Sequence, residues 1–126
     1  MSSGAKLFVS IGAAMAALAV VLGAFGAHAL KTRLPAGMLE VYLTAVQYHF
    51  WHALGVLAVG LALELLPEAG WLRSAGWLLT AGIVLFCGSL YLLALTGSKW
   101  LGAVTPLGGL AFILGWLALM VAALRA

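Results

Sequence analysis

Three histidines, His28, His49 and His52, are the residues of this chain best suited to chemistry at neutral pH. His49 and His52 are three residues apart, so in a helix they lie on one side and can share a partner. Tyr48 precedes His52 by one helical turn, close enough to hydrogen-bond or pack with it. Ionisable groups inside apolar segments of a membrane protein are functional candidates by default. These spacings therefore favour either hydrogen bonds between helices or the handling of a proton or ligand.

A metal centre is a weaker interpretation of the same residues. It needs three or four ligands about 2.0–2.2 Å from one ion. If the helix that contains His49 begins at Met38 and crosses a membrane directly, His49 lies about 12–15 Å deeper than His28, and the ligands do not converge. If residues 36–46 instead lie along the membrane surface, a cluster of histidines can form. No carboxylate or thiolate stands beside the histidines in sequence, and we predict no metal and no cofactor.

Nucleophilic catalysis has still less support. Cys87 and Ser89 are the candidate nucleophiles, but no local motif supplies either of them with a base and an oxyanion hole. Cys87 is the single cysteine of the chain, which excludes an intrachain disulfide. We therefore predict no catalytic residues and no enzyme.

Four uncharged stretches must position these side chains: residues 7–30, 41–63, 74–98 and 100–124. A helix of about 20 apolar residues, rising 1.5 Å per residue, crosses the ~30 Å hydrocarbon core of a bilayer. Of the 126 residues 66% are hydrophobic and 7% charged, which leaves little for a soluble domain. We predict an all-α integral membrane four-helix bundle with both termini on the same side. It forms one transmembrane domain over residues 1–126, with helices at about 7–30, 38–66, 74–97 and 105–124.

Charge gives further limits on partners and topology. The net charge of +3 comes from basic residues spread over helix ends, so nucleic acid is not an expected partner. With four spans, each side of the membrane has three basic residues. Lys6, Arg73 and Arg125 lie on one side, and Lys31, Arg33 and Lys99 lie on the other. The positive-inside rule therefore does not assign an orientation.

Other polar residues lie near helix ends. Glu40, Thr44 and Gln47 follow the spacing i, i+4, i+7 and form one polar stripe on the second helix. The stripe fits either an amphipathic lead-in at the membrane surface or a polar face turned toward the bundle. Thr105 before Pro106 fits a side-chain N-cap with proline at the first helical position.

Small residues recur at steps of three, four and seven on the predicted helices. Such seams allow close backbone approach, which drives association of apolar helices in lipid. Steps of seven indicate left-handed crossings near +20° and a tight bundle rather than a wide pore. The predicted packing residues are Gly12, Ala16, Ala19, Gly23, Gly26, Gly82, Ser89, Gly108 and Gly115.

Four segments together resemble one family, the small membrane proteins grouped as domain of unknown function 423, which includes transmembrane protein 256. These are residues 23–28 (GAFGAH), Tyr48 with 52–54 (HAL), 88–91 (GSLY) with 95–97 (LTG), and 105–109 (TPLGG). The resemblance implies a multi-pass protein of the bacterial plasma (inner) membrane without an established activity. It maps recurring polar positions, as candidates for ligand or proton handling, to His28, Tyr48, His52, Ser89, Tyr91, Thr96 and Thr105. It also implies that glutamine is usual at position 49, which makes His49 a poor candidate for a site common to the family.

The favoured function is an interaction, assembly or structural component whose partners are the bilayer and either a second copy or another membrane protein. The absence of a deep carboxylate, a loop domain and a cofactor motif favours it. The first alternative is a small-solute or proton-coupled transporter with a polar path near His28, Tyr48, His52 and Thr96. The second is binding of lipid, quinone or haem between helices 1 and 2.

Overall fold

The computed structural model describes residues 1–126 and confirms an all-helical bundle with four helices long and apolar enough to cross a membrane. These helices are α1 (Ser3–Leu30), α2 (Ala36–Leu65), α3 (Gly70–Thr96) and α4 (Lys99–Leu124). Short turns join them, so consecutive helices run in opposite directions and both termini lie on one side.

α1 and α3 begin about one turn before the starts predicted for them at residues 7 and 74. At the start of α1 the Ser2 hydroxyl oxygen accepts a hydrogen bond from the Ala5 amide at 3.2 Å, a side-chain N-cap. At the start of α3 the Arg73 guanidinium donates to the Pro67 carbonyl at 2.7 Å. The charged residue in the first turn of α3 reaches a polar partner, and α1 begins three residues before Lys6, so a charge does not mark the helix boundary.

The predicted capping role of Thr105 is wrong. α4 opens with a 3₁₀ segment, Lys99–Ala103, and its α-helical part, Thr105–Leu124, has no side-chain cap. The Thr105 hydroxyl instead lies 2.6 Å from the Ser89 hydroxyl on α3. A contact between helices therefore replaces the expected local one.

Two helices contain a wide π-helical turn. It covers Gly26–Leu30 at the end of α1 and Ile83–Cys87 in the middle of α3. Such turns insert a residue into the helical register, change the direction of the side chains that follow, and are frequent at functional sites.

The bundle consists of two helical hairpins, α1–α2 and α3–α4, joined along α2 and α3. α2 is the central helix and contributes more buried residues than any other. Glycine brings the α1 and α2 backbones together, because a Cβ built on Gly12 would lie 2.5 Å from the Leu57 amide nitrogen. On the same seam a Cβ on Gly60 would lie 2.6 Å from the Val9 amide nitrogen. Here the chain requires glycine because backbone, not a side chain, occupies the space.

The remaining small residues lie at helix contacts of different kinds. On the α3–α4 seam, Gly82 meets the ring of Phe112, Gly108 meets the Phe86 backbone, and Gly115 meets Leu79. On the α1–α2 seam, Ala19 is fully buried, Ala16 packs against the core, Gly23 meets Val46, and Gly26 meets the ring of Tyr42.

Residues 36–46 form the first turns of the continuous helix α2 rather than a separate surface segment. Tyr42 fixes this part of the helix, because its buried hydroxyl donates to the Leu22 carbonyl of α1 at 2.5 Å. The stripe of Glu40, Thr44 and Gln47 is exposed. It faces away from the bundle, so the interpretation as an inward polar face is wrong.

We predict that Gly12→Ala destabilises the protein by about 1–3 kcal/mol, because the added methyl group forces the α1 and α2 backbones apart. Gly88→Ala is the matched control: Gly88 is also mid-helix, but a Cβ there meets nothing within 4 Å. Unfolding in mixed micelles with increasing denaturing detergent measures both. Equal stability of the two variants would contradict the assigned seam.

Candidate functional site

The three histidines occupy different environments. His49 and His52 are buried inside the bundle, with 2% and 7% of their surfaces exposed, whereas His28 is exposed at the end of α1. No three His, Cys, Asp or Glu side chains come together in a geometry that could hold a metal ion. The two buried histidines have separate partners and are best described one at a time.

His49 pairs with a tyrosine of α3. Its Nδ1 atom lies 2.8 Å from the Tyr91 hydroxyl oxygen, and the two rings meet edge to face. Tyr91 also packs on Tyr42, with ring centroids 5.3 Å apart. The second ring nitrogen of His49, Nε2, is buried and has no hydrogen-bond partner. The Met15 carbonyl of α1 approaches the His49 ring, but it does not reach acceptable hydrogen-bond geometry with Nε2.

His52 belongs to an aromatic cluster between α2, α3 and α4. Its Nδ1–H donates to the Tyr48 carbonyl of its own helix at 2.7 Å. Its ring stacks on Phe112 at a centroid distance of 3.6 Å and on Tyr48 at 5.8 Å. Tyr48 packs in turn on Phe86. The His52 ring therefore packs as part of the aromatic core, and its Nδ1–H is hydrogen-bonded within α2.

Ser89 and Thr105 form a hydroxyl pair between α3 and α4. The Ser89 hydroxyl lies 2.9 Å from the Phe86 carbonyl, and the Ser89 and Thr105 oxygens are 2.6 Å apart. The Thr105 hydroxyl also lies 3.4 Å from the Leu101 carbonyl of its own helix. Since the contact of Ser89 with Phe86 is the shorter of the two, Ser89 donates its one proton there and its oxygen accepts the proton of Thr105. The pair satisfies both hydroxyls inside the apolar bundle.

Thr96 and His28 do not join these groups. Thr96 is exposed near the end of α3 and donates to the Leu92 carbonyl of its own helix at 2.5 Å. None of the four cavities in the structure is lined by His28, Tyr48, His52 or Thr96. The side chains expected to line a transport path therefore share no cavity.

Two cavities open on the membrane-facing surface beside polar groups. One, of about 230 Å³, lies between α1 and α3 and is lined by His49 and Tyr91 with apolar residues. The other, of about 330 Å³, is a groove along α1 and α2 that includes Gln47. They lie on different sides of α1, because Leu18 and Leu22 line the first and Val20 and Ala24 the second.

Sequence reasoning set His49 aside, and it did not single out Tyr42. A signal for both was present on α2, where the buried positions include Tyr42, Ala45, His49 and Val56. Their spacing of i, i+3, i+7 and i+14 marks one helical face. The small and apolar residues on that face would have indicated that His49 points inward.

Four apolar helices joined by short turns define a small multi-pass membrane protein. The chain belongs to the family described as Protein of unknown function (DUF423), whose model matches residues 22–109. It is 52% identical to the UPF0382 membrane protein YwdK of Bacillus subtilis over 95% of this chain and 98% of the relative. It is 46% identical to a UPF0382 membrane protein of Staphylococcus epidermidis over 95% of this chain and 97% of the relative.

No solved structure matches this chain. The relatives are bacterial proteins named as membrane proteins. Together with the four helices that can cross a membrane, this makes the chain a multi-pass protein of the bacterial plasma (inner) membrane.

We predict that His52→Phe retains the stability of the protein within about 1 kcal/mol, whereas His52→Ala loses about 2–5 kcal/mol. Phenylalanine can keep the stack on Phe112, and the Tyr48 carbonyl keeps its backbone hydrogen bond. Unfolding in denaturing detergent measures both variants. An equal loss in the two variants would show that the imidazole nitrogens matter beyond packing.

We predict a favourable coupling of about 0.6 kcal/mol between Ser89 and Thr105, the average for hydrogen bonds between helices in a membrane. A double-mutant cycle with Ser89→Ala and Thr105→Val measures it. Coupling indistinguishable from zero would mean that each hydroxyl is satisfied by its own helix alone.

Proposed function

We propose that this protein is a non-enzymatic assembly component of the membrane, which associates with a second copy of itself through the outer face of α1 and α2. The observation that carries the proposal is the exposed carboxamide of Gln47 on the membrane-facing surface. Gln47 makes no side-chain hydrogen bond within the chain and lies in the wall of the α1–α2 groove.

The depth of Gln47 makes this exposure costly in a lone molecule. It lies six residues inside the uncharged stretch that begins at Val41, or about 9 Å along the helix axis. An amide transferred to an apolar medium without a hydrogen bond costs roughly 2–7 kcal/mol. A partner that hydrogen-bonds the carboxamide removes this cost, and glutamine is one of the residues that bond across membrane helices.

The surroundings of Gln47 suit the close approach of another helix. Ala19, Gly23 and Ala24 give the α1 side of the groove a low profile, and Phe50 and Trp51 form a raised rim on the α2 side. Small residues in such a groove allow a neighbouring helix to reach van der Waals contact. The groove therefore supplies shape, and Gln47 supplies a directed hydrogen bond.

A second copy is the occupant that this chemistry favours. A carboxamide both donates and accepts, so two Gln47 side chains related by a two-fold axis can satisfy each other. Thr44 lies one turn earlier on the same exposed stripe and adds a further hydroxyl. The polar groups of this face are thus self-complementary in hydrogen bonding.

We predict that the protein dimerises in vesicles and that Gln47→Leu weakens the association about threefold to tenfold. Energy transfer between donor-labelled and acceptor-labelled copies, measured over a series of protein-to-lipid ratios, gives the dissociation constant. Ala24→Leu should also weaken association by filling the groove.

Two matched variants control for general effects. Thr96→Val removes an exposed hydroxyl that is already satisfied by its own helix, and Ala81→Leu enlarges an exposed alanine of α3. Both should leave the dissociation constant unchanged. A monomer at all ratios, or equal weakening by the controls, would refute the proposed interface.

A further inference from the structure

The cavity between α1 and α3 lies on the opposite side of α1 from the α1–α2 groove that includes Gln47. Its volume is about 230 Å³, and α2 forms its floor through His49. Near one end of α1, Phe8 bridges to α3 by packing on Trp77. Toward the other end, Tyr42 links the two helices by contacting Tyr91 and the Leu22 carbonyl. Between these bridges the helices leave a gap that opens toward lipid.

All three helices place this cavity near the middle of the membrane. Leu18 is at the midpoint of the uncharged stretch 7–30, and Val84 is two residues from the midpoint of 74–98. His49 is three residues, or about 4–5 Å, from the midpoint of 41–63. A molecule that reaches His49 must therefore enter the hydrocarbon core.

His49 lines the cavity, and its imidazole carries a buried nitrogen, Nε2, that has no hydrogen-bond partner. If Nδ1 carried the proton, it would donate to the Tyr91 oxygen and leave the Tyr91 hydroxyl proton without an acceptor. If the hydroxyl donates to Nδ1, both groups are satisfied and the imidazole proton resides on Nε2. The geometry thus favours an Nε2–H group that is buried and unpaired, an expensive arrangement that a hydrogen-bond acceptor would relieve.

The cavity wall can adapt around this group. Nε2 is covered in the structure, and Met15 lies on the same wall. The Met15 side chain is unbranched and has three rotatable bonds, so it can move to enlarge the cavity beside the His49 ring at small cost. The opposite wall begins with the π-helical turn Ile83–Cys87 of α3, a feature frequent at functional sites.

We propose that this cavity binds a quinone-type lipophile, an apolar ring whose carbonyl oxygen accepts a hydrogen bond from Nε2–H of His49. The apolar walls suit the ring, and the opening between α1 and α3 lets a tail extend into lipid. A cavity of 150 Å³ already holds benzene, so about 230 Å³ accommodates one substituted ring.

Depth favours this class over membrane phospholipids. The ester carbonyls of a phospholipid lie in the polar interfacial region, outside the ~30 Å hydrocarbon core. His49 lies close to the centre of that core. A lipophilic carbonyl compound without a polar headgroup can reach it, whereas a phospholipid ester would have to draw its headgroup inward.

The test uses the full-length protein in nanodiscs and decylubiquinone, a benzoquinone with a ten-carbon tail, as the probe. We expect saturable binding at one site per chain, followed by quenching of tryptophan fluorescence. His49→Leu should weaken binding about tenfold, because it replaces the Nε2–H donor by an apolar side chain of similar size. His49→Gln should retain most of the affinity, because its carboxamide still donates.

His28→Leu is the matched control, since it removes an exposed histidine that lines no cavity, and it should leave binding unchanged. A readout independent of any variant is the ¹⁵N NMR signal of His49 in the wild type. In a ¹H–¹⁵N spectrum, the resonance of its Nε2–H proton should move downfield when decylubiquinone is added. This result does not depend on whether His49→Leu folds.

Absence of saturable binding, or equal binding by wild type and a folded His49→Leu variant, would overturn the proposal. Dioleoylglycerol, which offers ester carbonyls, serves as the competing ligand. Tighter binding of dioleoylglycerol than of decylubiquinone would overturn the assignment of a ring. Dimerisation is not part of this test, so failure of the site would leave the α1–α2 interface unaffected.

Discussion

Direct contact between the α1 and α2 backbones at Gly12 and Gly60 is the interaction on which the rest of the structure depends. Lipid provides no hydrophobic force between apolar helices, so their association relies on close packing and hydrogen bonds. Where two backbones touch, neither helix can slide or rotate without a clash. That contact fixes which residues of α2 face inward, and it sets the positions of Tyr42, His49 and His52.

Each buried polar group then needs a partner within the bundle, because the hydrocarbon offers none. His52 uses the carbonyl of its own helix, and Ser89 uses Thr105. His49 reaches Tyr91 with one nitrogen and leaves the other unpaired. Two of these three residues therefore behave as structural polar groups, and His49 alone has a fully buried side-chain nitrogen without a hydrogen-bond partner.

The two proposals concern different sides of the outward surface of α1. One side continues into the groove that contains Gln47, and the other forms a wall of the His49 cavity. Because α1 pairs closely with α2 and touches α3 through few side chains, both sides stay accessible from the membrane. The proposed association surface and the proposed ligand cavity therefore do not overlap.

The sequence by itself determined the four helices, the short turns and the use of glycine and alanine in the seams. These features depend on local composition and on the thickness of the bilayer. Only the tertiary structure decided the roles of individual polar residues, because burial depends on how the helices are rotated. The small and apolar face of α2 indicated that His49 points inward, but only the packing of α3 against α2 placed Tyr91 beside it and left Gln47 on the outer surface. Thr105 likewise paired with Ser89 because α3 and α4 meet there, a contact 16 residues apart that no local pattern encodes.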